Sequence, residues 1–202
     1  MTESILSLGW SDNPTPIGAG FRPRTLARLL DLFLHYLAGA VAAAAVAVLI
    51  GLGAGLRGED PTPLLAKLEG FSAIGMLLSF LGAILYHTLA ESLDGSTPGK
   101  RICGLVVLTE SQTPCSFKAA FGRSLAFYVD GLFFGLIAYG NMSDSPMRQR
   151  LGDKWNHTIV QRRADAPPVS LRPTSRFIAV SIAAFIVDTL ILFLAFVLKA
   201  LA

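Results

Sequence analysis

The sequence predicts an all-α integral membrane protein: a small helical bundle with three full spans, one broken or re-entrant helical segment, and a small cytoplasmic β-hairpin. Three observations predict it. Of the 202 residues, 52% are hydrophobic and only 15% charged, and the mean hydropathy is +0.56, whereas a soluble domain carries about a quarter charged residues. Long stretches, such as residues 37–56, contain no ionisable side chain. Basic residues concentrate between the apolar stretches, as positive-inside sorting requires. The net charge of +3 therefore reads as topology and excludes the need for a nucleic-acid partner. A chain of this length holds one compact bundle and no large soluble domain.

Residues 1–20 contain Pro14, Pro16 and three glycines but no cleavable signal pattern, and read as a mobile cytoplasmic tail. Arg22, Arg24 and Arg28 lead into the first span, about 26–56, which places its start in the cytoplasm. Asp31 and His35 lie just inside that span, where ionisable groups are costly and need partners. Spacing by four continues from them through Gly39, Ala43, Ala47, Gly51 and Gly55, a small-residue stripe suited to close helix contact. The loop over 57–70 sets Arg57 and Lys67 against Glu59, Asp60 and Glu69; two minus three gives −1, and it belongs outside. The second span, about 71–92, repeats the pattern with Gly75, Ser79, Ala83, His87 and Glu91. It runs back inward. Two antiparallel neighbours would bring Asp31, His35, His87 and Glu91 to similar depth, either as an internal polar cluster or as polar tips reaching the headgroup zone.

Residues 98–117 read as the hairpin: a turn-rich basic start, a strand over 104–109, a turn at 110–112 and a return over 113–117. The run from Ser96 to Lys100 lacks the strand before it and the hydroxyl after the lysine that a phosphate loop needs. Cys103 and Cys115 read as reduced cytoplasmic thiols without a Cys-x-x-Cys partner. The segment 119–142 carries Asp130 and Gly131 near its middle and positive charge on both flanks. Crossing the membrane would put the most basic loop, 143–173, outside. A helix broken at Asp130–Gly131 that dips in and returns satisfies the charge rule, with a plain span of unusual topology as the alternative. Residues 157–161 then form a strand able to lie beside 104–109, a pairing that requires the return. Residues 174–202 form an additional C-terminal transmembrane helix, with Asp188 near mid-membrane facing the bundle.

The residues in order resemble the RDD family of bacterial membrane proteins, named for one arginine and two aspartates. The resemblance runs over about 17–163, and 21–163 forms the corresponding membrane domain. It rests on Gly20-Phe21, Arg24, Ala27 and Asp31, then Thr97-Pro98-Gly99-Lys100 with Gly104, Arg123 and Asp130, and last Arg150-Leu151-Gly152-Asp153 with Thr158. Asp130 or Asp153 would be the second named aspartate. The resemblance implies a membrane protein with a suspected role in transport, ion exchange being one proposal, and no defined substrate.

The resulting expectation is a small transporter or ion exchanger in the bacterial cytoplasmic (inner) membrane, N-terminus inside. Buried carboxylates can hold protons or monovalent cations when burial tunes their pKa. Asp31, Asp130 and Asp188 are the candidate ligands. Arg24, Arg28, His35, His87, Glu91, Arg123 and Asp153 are candidate relays or counter-charges, with Arg24 or Arg28 set against Asp31. The alternative is a non-catalytic scaffold or regulatory subunit. An enzyme is not expected, because no serine or cysteine has a base at a plausible spacing. His35, His87 and Glu91 lack a diagnostic metal-ligand spacing, so neither metal nor other cofactor is expected. The expected partners are the lipid bilayer and a second copy or a membrane subunit.

Overall fold

The computed structural model describes residues 16–202 apart from 71, with the backbone alone at 134. Three helices are long and apolar enough to cross a membrane: α1 (Phe21–Arg57), α3 (Ala73–Leu93) and α8 (Thr174–Leu201). Alanine and leucine dominate α1, and its one proline, Pro23, sits in the first turn, where the missing N–H costs nothing. Gly58, at φ 67°, ends it in the left-handed cap that glycine favours. The connection to α3 holds the single turn α2 (Thr62–Ala66). Ser72 then opens α3 by accepting the Gly75 N–H.

Helix α8 lies between α1 and α3 and packs on both more extensively than they pack on each other. The sequence led us to expect α1 and α3 as direct neighbours along their four-spaced stripes. The buried line on α1 is instead Ala38, Ala42 and Val46, with Leu192 of α8 against it, while Gly51 and Gly55 meet open space. Steps of four residues overshoot a helical turn by about 40° each, so a stripe beginning at Asp31 rotates off the contact face before the helix ends. Large apolar side chains such as Phe33, Leu52, Leu77, Ile182 and Leu190 point away from the bundle, as helices apolar on all sides do in lipid.

The broken segment comprises α5 (Phe117–Asp130) and α6 (Leu132–Ser143), which meet at a 110° bend. Positive φ at Phe133 (52°) and Gly135 (83°) marks the corner. The expected hairpin over 98–117 does not form. Residues 98–102 make a short helix, α4 (Pro98–Ile102), and strand β1 (Leu105–Thr109) pairs antiparallel with β2 (Thr158–Arg162), from Leu105 opposite Arg162 to Thr109 opposite Thr158. Of 113–117, only Pro114 bridges Leu108; a proline has no N–H to continue a ladder. The partner strand is the one anticipated at 157–161, so the excursion through α5, α6 and α7 (Leu151–Trp155) starts and ends at one side of the molecule.

Both faces of the sheet are covered. Leu105, Val107 and Val160 pack with Cys115 and Ala120, while Val106, Leu108 and Ile159 pack with Ala166 on the other side. Residues 16–20 belong to the expected tail, yet Ala19 is buried and donates its N–H to Val160 O at 2.7 Å. Residues 1–15 of that tail lie outside the described residues.

Candidate functional site

Asp153 stands in the first turn of α7 and is 0% exposed. One carboxylate oxygen accepts from Arg24 Nη1 at 2.5 Å and from the Arg150 N–H at 3.1 Å; the other accepts from Arg123. Arg123 continues to Glu91 (3.1 Å) and donates to the Thr158 hydroxyl (2.7 Å), and Lys100 closes on Glu91 at 2.5 Å. Charges therefore alternate along Arg24, Asp153, Arg123, Glu91 and Lys100, tying together α1, α7, α5, α3 and α4. Arg24 also donates to the carbonyls of Ala19, Arg148 and Val160, so one guanidinium reads three backbone segments. Burial alone would raise the Asp153 pKa; Arg123, Arg24 and Arg150 outweigh it and hold the carboxyl below the usual carboxylate range.

Of the residues singled out from the sequence, Arg24, Arg28, His87, Glu91 and Arg123 line one small cavity with Asp31, whereas His35 and Asp188 do not. The Asp31 carboxylate accepts from the Thr97 hydroxyl (2.6 Å), the Gly99 N–H (2.9 Å) and the Tyr86 hydroxyl (3.2 Å). The Thr-Pro-Gly-Lys run is thereby explained residue by residue. Thr97 caps α4 by accepting the Lys100 N–H and donates to Asp31, Pro98 takes the first helical position, Gly99 lets backbone meet backbone, and Lys100 reaches Glu91. Neither arginine is hydrogen-bonded to Asp31: Arg24 is committed to Asp153, and Arg28 stacks 3.7 Å above the Phe127 ring and lies against His87 Nε2. Asp130 accepts the backbone N–H groups of Leu151 (3.1 Å) and Gly152 (3.2 Å), holding the start of α7 onto the end of α5.

His35 faces a different neighbourhood. Its Nδ1 lies 2.8 Å from Asp188 Oδ2 and its Nε2 lies 2.9 Å from the Ser79 hydroxyl. Asp188 is 1% exposed, its Oδ1 has no hydrogen-bond partner among the described residues, and it packs against Gly82. A cavity of about 450 Å³ extends from His35 and Ser79 past Gly39 and Gly75 to Gly70 and Lys199. Asp31 and His35 are thus one turn apart but serve separate sites, and His87 and Glu91 stay with Asp31, Arg28 and Arg123 around the small cavity. Sequence reasoning missed Tyr86, and it named Lys100 and Arg150 only as residues of the family resemblance, not of the site. Ser79 and Tyr86, seven residues apart, share a face of α3, and that spacing carried the signal. Among the described residues, no group of three or more histidine, cysteine, aspartate or glutamate side chains is arranged to hold a metal ion.

Asp94, just past the end of α3, is 2% exposed and lacks a hydrogen-bond partner among the described residues, with Arg101 4.0 Å away. Burial pushes its pKa up to about 6 against the pull of Arg101 and Arg163. A carboxyl raised in the fold stabilises while protonated, and that contribution is lost as pH rises from the unfolded value toward 6. Asp94→Asn is therefore expected to raise the thermal midpoint at pH 7.5 and to leave it nearly unchanged at pH 4, as measured by thermal unfolding in detergent.

Three helices fit to cross a bilayer, their outward apolar side chains and a charged network confined to one end point to a membrane protein. The chain belongs to the RDD family, whose match covers residues 18–157. No curated protein and no solved structure matches it. Of the described family-type residues, Arg24, Asp31, Thr97, Gly99, Lys100, Arg123, Asp130, Asp153 and Thr158 all lie in the hydrogen-bonded assembly above. His35 pairs with Asp188 of α8, which follows the matched region.

Proposed function

We propose that this protein is a small ion exchanger of the bacterial cytoplasmic membrane in which His35 and Asp188 carry the proton. The observation that supports it most is the placement of His35 between Asp188 and Ser79 inside the apolar part of the bundle, at the end of a cavity of about 450 Å³. Ionisable groups at such depth are unfavourable by a few kcal/mol and persist where they pair or line an ion path. An imidazole and a carboxyl in contact can share one proton. Asp188 Oδ1, without a hydrogen-bond partner among the described residues, offers a ligand to a monovalent cation when that proton leaves. On the far side, Tyr86 follows Gly82 by one turn of α3 and donates to Asp31, extending the polar groups toward the basic end. Asp31 accepts three hydrogen bonds and Asp130 two, and these bonds position α4 and α7.

Orientation follows from charge. The basic residues around the sheet support a cytoplasmic side for that end and for the N-terminus, and the 110° bend supports a segment in which α5 and α6 dip in and return. The chain of ion pairs from Arg24 to Lys100 favours a structural role for that end, and on the scaffold alternative it alone would matter.

The test is reconstitution of the purified protein in vesicles with an internal pH dye, imposing a sodium or potassium gradient. The wild-type protein is expected to change internal pH, and His35→Gln to slow the change at least about tenfold, the factor expected for losing a positioned proton-transfer group or more. Equal rates in vesicles with and without the protein contradict the proposal.

A further inference from the structure

The basic end holds more cations than it can neutralise. A small cavity of about 40 Å³ is lined by Arg24, Arg28, Lys100, Arg123 and Arg150, with Asp31 and Glu91 also on its wall. Asp153, behind Arg24 and Arg123, supplies a third carboxylate. Asp130, on the wall of the adjoining cavity with Arg24, Arg28 and Arg150, supplies a fourth, and five cations less four carboxylates leaves one positive charge. Buried charge without a partner is among the costliest arrangements in a fold. Arg123, 1% exposed, keeps Nη2 without a hydrogen-bond partner among the described residues, and the same is true of Arg150 Nε and the Ser124 hydroxyl. All three residues line this cavity.

We infer that this cavity is a binding site for a small anionic group, a halide, a carboxylate or a phosphate, held by Arg123, Arg150 and Ser124. The planar guanidinium groups offer the paired donors that oxyanions take up. The four wall and near-wall carboxylates limit the site to one group of modest charge. A second, mostly apolar cavity of about 200 Å³ adjoins it, sharing Arg24, Arg28, Phe127 and Arg150 and continuing along Leu29 and Met142. The anionic group can therefore be a free inorganic ion or the head of an anionic amphiphile whose tail occupies the apolar cleft. Proton movement through His35 is not a premise of this inference, since the site stands on other residues.

The test is thermal unfolding of the full chain in an uncharged detergent at constant ionic strength. Gluconate serves as the reference salt, and chloride, inorganic phosphate or phosphatidylglycerol is titrated in, with phosphatidylcholine as the neutral lipid control. A saturable rise in midpoint with chloride or phosphate assigns a free anion; a rise with phosphatidylglycerol only, and not with phosphatidylcholine, assigns a lipid headgroup. Either supports the site. Arg150→Gln is expected to raise the half-saturating concentration at least about tenfold, the loss of a charge-assisted hydrogen bond. Arg150→Lys restores part of the affinity, and exposed Arg22→Gln leaves the titration unchanged. Should Arg150→Gln fail to fold, Ser124→Ala supplies the weakened variant. No saturable rise with any anion, or an unaltered titration in the folded Arg150 and Ser124 variants, overturns the inference.

Discussion

Asp153→Ala is expected to destabilise the protein by about 3–5 kcal/mol, the usual cost of removing one partner from a buried ion pair. Two guanidinium groups lose their shared counter-charge at once. Arg24 is 9% exposed and Arg123 1% exposed, so neither can turn to water. The capping bond from the Arg150 N–H disappears with the carboxylate. The variant is expected to unfold roughly 10 °C or more below the wild type, and Asp153→Asn, which keeps one acceptor, to fall between them. The pH dependence has a definite sign. Because the folded pKa is depressed, the stabilisation is present above the unfolded value of about 4 and is lost as pH falls below it. Between pH 5 and pH 8 the Asp153 contribution is flat, whereas the Asp94 contribution changes on the way to pH 6. A thermal midpoint series across that range separates the two.

Gly99→Ala is expected to cost about 3 kcal/mol, combining overpacking with the weakening of charge-assisted hydrogen bonds. A methyl group at Gly99 would run into the Ala27 carbonyl oxygen and lie 2.9 Å from the Asp31 carboxylate. Neither can yield, since one is helix backbone and the other is held by Thr97 and Tyr86. Helix α4 must withdraw, taking the Thr97 and Gly99 bonds to Asp31 with it and drawing Lys100 from Glu91. Gly55→Ala, near the far end of α1 with no described atom within 4 Å of an added Cβ, is the control and is expected to be neutral or slightly stabilising. Comparative unfolding of the two variants checks the prediction.

The long apolar helices, the break at Asp130 and the meeting of 104–109 with 157–161 were legible in the sequence; that the two strands run antiparallel was not. Each rests on a local signal: apolar length, a charged residue beside glycine, or a short β-branched run. The hairpin expectation failed at Pro114, whose missing N–H leaves a single bridge where a returning strand would need a ladder. The grouping of Asp31 with His35 failed for a longer-range reason. Residues one turn apart share a face only if the same neighbour covers both. Here α4 comes to Asp31 while α8 comes to His35, and no periodicity within α1 states which helix arrives where. The arginine network was legible only as an ordered set of residues; that Arg24 serves Asp153, 129 positions away, required the fold.

The proton assignment separates two aspartates that both looked like ion ligands in the sequence. Asp130 accepts two backbone N–H groups and caps a helix, while Asp188, beside His35, keeps one oxygen without a hydrogen-bond partner among the described residues. The most direct measurement is therefore the rate of internal pH change in vesicles containing Asp188→Asn or Asp130→Asn, each verified as folded and inserted. Asp188→Asn is expected to abolish the protein-dependent flux and Asp130→Asn to retain it; flux that survives in Asp188→Asn and vanishes in Asp130→Asn would contradict the assignment.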